Sequence, residues 1–130
     1  MDTIDVWVFR DQTDLGYDPT GGADITGFHV EALDGSIGKV DKANNDVGQA
    51  YVIVDTGPWI FGKKVMLPAG VITQINTDSE TISVNRTKDQ IKNSPEYDDA
   101  KLNDNDYRSE LGGYYAPGGQ GYRGWDDPQT

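Results

Sequence analysis

From residue 28 onward the apolar residues fall into short runs separated by turn-forming residues, a spacing that suits strands and leaves no room for long helices. The runs cover residues 28–33, 37–41, 50–55, 64–67, 71–75 and 81–84. Between them stand Asp34-Gly35, Asn44-Asn45-Asp46, Thr56-Gly57-Pro58, Gly62-Lys63-Lys64, Pro68-Ala69-Gly70 and Thr77-Asp78-Ser79-Glu80. Six short strands so closely spaced predict a small, strongly bent sheet or barrel. Within the run Tyr51-Val52-Ile53-Val54 both faces are apolar, which predicts a central strand. Thr81-Ile82-Ser83-Val84 alternates, which predicts a wall with one wet side.

The segments outside these runs follow other patterns. Residues 1–23 pair a short amphipathic piece (Ile4, Val6 and Val8 against Asp5, Trp7 and Phe9) with a Gly- and Asp-rich linker, and predict an N-terminal extension able to add a strand. Thr87-Lys88-Asp89-Gln90 has capping-box spacing, so a short helix is expected over residues 88–94, anchored by Ile91 and ended by Pro95. Residues 99–130 hold six Gly and four Tyr with few aliphatics. Such a stretch buries too little area to offset its ordering entropy alone, so it is expected as an acidic Gly/Tyr-rich tail, flexible or docked on a partner.

Composition narrows the function classes. With 130 residues, 35% hydrophobic content and a mean hydropathy of -0.64, the chain has apolar material for one core. Its net charge of -11 is spread along the chain, at -4 over residues 1–22, -4 over 23–98 and -3 over 99–130. A surface of this sign repels phosphate backbones and anionic headgroups, so neither nucleic acid nor a membrane surface is an expected partner. No apolar stretch approaches the roughly 20 residues needed to span a bilayer. The absence of cysteine removes thiol catalysis, thiolate zinc sites and disulfides, and a cytoplasmic location is expected.

The candidate chemistry is thin. His29 is the only histidine, and acid-base or metal work would want a companion at defined spacing. No Gly-x-Ser-x-Gly elbow is present. Residues 119–124 match G-x-G-x-x-G, but in a tail that lacks the strand and helix needed to carry a phosphate. Asp99, Lys101, Asn103, Asn105, Tyr107 and Glu110 match an EF-hand count, with Lys101 and Asp104 where an oxygen ligand and a glycine are required. Asn85-Arg86-Thr87 matches a glycosylation sequon that has meaning only in a secreted chain. Adjacent acids such as Asp98-Asp99 and Asp126-Asp127 read as solubilising charges.

Four segments together carry a family resemblance: residues 30–40, centred on Asp34-Gly35-Ser36-Ile37-Gly38-Lys39-Val40; Tyr51-Val52-Ile53-Val54-Asp55; residues 61–69, Phe61-Gly62-Lys63-Lys64-Val65-Met66-Leu67-Pro68-Ala69; and residues 87–97, from Thr87 to Tyr97. In their order and spacing, residues 24–98 resemble the PRC-barrel domain, particularly its stand-alone bacterial members. The resemblance implies an all-β fold, a small, mostly antiparallel barrel of about six strands, used as an interaction module without catalytic residues.

The most concentrated apolar stretch is residues 54–70, with Trp59-Ile60-Phe61 set between Gly57-Pro58 and Gly62. If extended, it places Trp59 and Phe61 on one side and Ile60 on the other. Trp7, Trp59, Ile60 and Phe61 are the candidate interface residues, because aromatics beside turns in a small barrel can anchor a contact. The expected function is a non-enzymatic protein-protein interaction module that self-associates as a homodimer or binds another protein, with no catalytic, cofactor or metal residues. The alternative is a regulatory barrel that binds a small ligand or a divalent cation through its many Asp and Asn side chains.

Overall fold

The computed structural model describes residues 7, 15–16, 24–44, 50–57, 63–102 and 104–116. Six strands follow one another as β1 (His29–Ala32), β2 (Gly35–Asn44), β3 (Tyr51–Asp55), β4 (Lys64–Pro68), β5 (Ile72–Asn76) and β6 (Thr81–Val84). They coincide closely with the six apolar runs. Two helices follow, α1 (Lys88–Lys92) and α2 (Asn105–Tyr115).

The strands form one sheet in the order β4-β3-β2-β1-β6-β5. β1 and β2 pair through a turn at Leu33-Asp34, with Ala32 opposite Gly35 and His29 opposite Lys39. A bulge between Val30 and Glu31 breaks their register. It explains why Ile37 and Val40 are both buried although they stand three apart: the extra residue on β2 resets the alternation. The second half of β2 pairs with β3 from Lys39–Asp55 to Asn44–Tyr51. β2 therefore serves two neighbours along its length and bends between them. At that bend Gly38 has φ +145° and lies against Asp55, so that a Cβ would run into the Asp55 carbonyl oxygen. Glycine is required there both by its backbone angle and by the close approach of β3.

β3 is the interior strand expected from its two apolar faces. It pairs with β2 on one side and β4 on the other, and Val52, Ile53 and Val54 are fully buried. In β6, Ile82 and Val84 point into the core while Thr81 and Ser83 are half-buried.

The expectation of mostly antiparallel strands holds with one exception, and the expectation of a barrel is corrected. Among the described residues the sheet is mixed, because β1 and β6 run parallel from His29–Thr81 to Glu31–Ser83, beside four antiparallel pairings. It also does not close. Its two edge strands, β4 and β5, are consecutive in sequence and joined only by the 3-10 turn Ala69–Val71. A flat six-stranded sheet would hold its edges roughly 24 Å apart, whereas so short a link reaches about 14 Å at most. The sheet must therefore curl until the edges approach at this corner. Away from the corner the outer edge of β4 is taken by a bridge between Lys64 and Tyr97, which occupies backbone groups that closure would need.

The helices sit on this curled sheet. The capping box expected for α1 is complete: the Thr87 hydroxyl accepts from the Gln90 amide at 3.1 Å and the Thr87 amide donates to Gln90 Oε1 at 2.8 Å. The Lys88 amide donates to Asp34 Oδ1 at 2.8 Å, tying the start of α1 to the β1–β2 turn, and Ile91 is fully buried. α2 was not expected. It lies within the stretch read as a tail, and its Tyr107, Leu111 and Tyr115 are buried on this chain's own body. Spaced four residues apart, they form a single helical face, and two tyrosine rings supply area that the aliphatic count did not suggest. Asp104 caps α2, accepting from the amides of Asp106 at 2.9 Å and Tyr107 at 3.2 Å. No helix among the described residues is long and apolar enough to cross a membrane.

Candidate interaction surface

The β3–β4 hairpin is defined on both sides of the segment that holds the strongest sequence candidate. Asp55 pairs with Lys64, and one residue further on Thr56 closes the hairpin twice on the Lys63 carbonyl, through its amide at 3.3 Å and its hydroxyl at 2.8 Å. Thr56 is itself buried, so this root is firm. Trp59, Ile60 and Phe61 lie outside the described residues, between β3 and β4 in sequence. Beside the root, Lys63 Nζ meets Glu96 at 2.6 Å, and this hydrogen bond and charge hold the Glu96 carboxyl below its ordinary range. The neighbouring Lys64 reaches Asp41 at 3.1 Å.

Trp7 is placed elsewhere. Its carbonyl accepts from the Ala50 amide at 2.9 Å, at the opposite end of β3 from Thr56, roughly 20 Å away along an extended strand. Half-buried against the core, its ring is covered by the Arg108 guanidinium at 5.5 Å, and the same guanidinium lies 4.8 Å from the centre of the Tyr51 ring. Arg108 also donates to the Leu102 carbonyl at 3.3 Å. The stack Trp7–Arg108–Tyr51 thus joins the N-terminal extension, β3 and α2 through cation-π contacts. The structure does not bring Trp7 to the root of the Trp59-Ile60-Phe61 connection.

A second node lies where α2 ends. The buried Arg86 donates through Nη2 to the Tyr115 carbonyl at 2.9 Å and through Nη1 to Asn85 Oδ1 at 2.5 Å, and its guanidinium lies 5.8 Å from the centre of the Tyr115 ring. A cation at a helix C-terminus is favoured by the partial negative charge of the last carbonyls. Asn85, the sequon residue, is buried and committed to this node. Tyr114 Oη donates to the Gln90 carbonyl at 2.6 Å, and Tyr107 Oη to the Pro95 carbonyl at 3.0 Å. Burial pushes the Tyr107 and Tyr115 phenols well above the usual tyrosine range. Both rings are therefore held neutral.

The remaining sequence candidates are dispersed. His29 is exposed on β1, opposite Lys39. Of the residues in the EF-hand count, Asn105, Tyr107 and Glu110 lie within α2 behind the Asp104 cap, a helical arrangement that cannot wrap a cation as a loop does. Among the described residues no group of three or more His, Asp or Glu side chains is placed to hold a metal ion. The G-x-G-x-x-G residues 119–124 lie outside the described residues.

No family model and no curated protein matches the chain.

The roles of Arg86 and Arg108 are not legible in the sequence, because an isolated arginine in a polar context carries no sign of its burial. The signal available for Arg108 was indirect: Tyr107, Leu111 and Tyr115 at helical spacing behind Asp104 would have announced α2 and, with it, a neighbour for Tyr51.

Proposed function

We propose that this chain is a non-enzymatic interaction module of the PRC-barrel kind, which self-associates as a homodimer through the connection that carries Trp59, Ile60 and Phe61. The observation that supports it most is the hairpin root. β3 is buried along four residues and paired on both sides, and Thr56 closes on Lys63, so the strands that flank the apolar, aromatic segment in sequence are firmly held. Rigid presentation lowers the ordering cost of a contact, and aromatic anchors contribute most of the binding energy in such interfaces.

The buried polar side chains support the same reading, because each works for the fold. Thr56 closes the hairpin, Gln90 completes the helix cap, and Asn85 and Arg86 hold the end of α2. Trp7 takes part in the internal stack with Arg108, and the proposed contact is therefore centred on residues 59–61.

Sedimentation velocity from low to high micromolar concentration tests the proposal. The wild-type chain is expected to shift from monomer to dimer, and a Trp59→Ala/Phe61→Ala variant with an unchanged melting temperature is expected to stay monomeric. A wild-type chain that is monomeric throughout, or a variant that dimerises as well as wild type, overturns it.

A further inference from the structure

The two parts of the described body are joined to their surroundings in different ways. Every strand is held by backbone ladders to one or two neighbours. α2 is held to the body by side chains: the buried stripe Tyr107, Leu111 and Tyr115, the Tyr114–Gln90 and Tyr107–Pro95 hydrogen bonds, the Arg86 bond to the Tyr115 carbonyl, and the Arg108 stack on Trp7 and Tyr51. Its opposite face, Asn105, Asp106, Ser109, Glu110 and Gly113, is exposed and polar. A helix of this composition is as well solvated off the body as on it, except along one stripe.

Two further observations weaken the attachment. Tyr115 is fully buried, yet its hydroxyl closes no hydrogen bond among the described residues, and the Ser94 hydroxyl beside it donates to the Ile91 carbonyl at 2.7 Å instead. An orphaned phenol loses its water on docking and gains no partner in return. Second, Gly112 and Gly113 sit together in the last turns of the helix, and the position of Gly113 is open, with nothing within 4 Å of where a Cβ would stand. Glycine has the poorest helix propensity after proline, so α2 depends on docking to stay helical.

We infer that α2 is a releasable strap, which unfolds and leaves the sheet body while β1 to β6 stay paired. Its release uncovers the Tyr51 ring that Arg108 covers and the Arg86 guanidinium that bonds the Tyr115 carbonyl. Openings of this kind are expected where a unit is held by few buried side chains and shares no backbone ladder with the rest.

Native-state hydrogen exchange on the full chain tests this. The amides of Arg108 to Tyr115 are expected to exchange through an opening at least about tenfold more frequent than the one that exposes Val52, Ile53 and Val54. Gly113→Ala is expected to slow exchange in α2 by about fivefold, the effect of a Gly-to-Ala change in a helix interior. Tyr115→Phe, which removes the orphaned hydroxyl, is expected to act in the same direction. Exchange of α2 and β3 amides with one common opening constant overturns the inference, as does a Gly113→Ala variant whose α2 amides exchange as fast as those of the wild type.

Discussion

β3 and α2 are both buried, and they reach burial by different physics. The interior of β3 is aliphatic, its backbone polar groups are satisfied by β2 and β4, and its side chains ask only for volume. α2 buries two tyrosines around one leucine and is fastened by an arginine, two phenol hydroxyls and a cation-π stack. The first kind of burial depends on shape and is insensitive to pH. The second depends on each polar partner being present and in the right protonation state, so it can be undone one interaction at a time.

The largest expected effect lies in the sheet. Gly38→Val forces a branched side chain into φ +145° and against the Asp55 carbonyl, and should cost about 3 kcal/mol or more. Because β2 joins β1 to β3, thermal unfolding should show the whole domain destabilised, α2 included. Loss confined to one half of the molecule would break the contrast between a cooperative sheet and a dependent helix.

Alkaline pH acts on the other side of the comparison. The folded Tyr115 phenol has its pKa raised by burial, while in the unfolded chain it titrates near 10. Its neutral form therefore contributes stability in full below about pH 10, and that contribution is lost as pH rises further, at up to about 1.4 kcal/mol per pH unit. Tyr107 acts with the same sign. Thermal melts at about pH 9 and about pH 11 should show a larger drop for wild type than for Tyr115→Phe, and equal drops would show that the Tyr115 phenol is not kept buried and neutral by the fold.

The smallest effect is at the junction of the two regions. Thr87→Ala removes the hydroxyl that caps α1 and should cost about 1 kcal/mol, read as a lowered melting temperature. Asp34, which accepts from the neighbouring Lys88 amide, holds the same helix start to the β1–β2 turn, and Thr87→Ala with Asp34→Ala should cost more than the sum of the two. Strict additivity would mean that the cap and the hairpin contact work independently.

Legibility divides along the same line as the energetics. All six strands were readable because apolar runs punctuated by Gly, Pro and Asx residues specify local chain direction, and the Thr87–Gln90 cap was readable because both partners lie within one turn. α2 is masked in the sequence by the Gly- and Tyr-rich composition of its segment, although Asp104 and the spacing of Tyr107, Leu111 and Tyr115 carry a helical signal. The role of Trp7 was half legible. Its aromatic character marked it for a contact, but Arg108, its partner, stands about 100 residues away and could be supplied only by folding.

By itself, then, the sequence determined the six strands of the described residues, their turns, the interior position of β3 and the start of α1, all of which follow from interactions among near neighbours. Tertiary structure alone decided the parallel pairing of β1 with β6, the failure of β4 and β5 to close the sheet, and the docking of α2 on Arg86, Trp7 and Tyr51. Each of these depends on where distant segments meet, and a three-residue link between the edge strands, with Tyr97 bridging β4, settles a matter of geometry that no local pattern encodes.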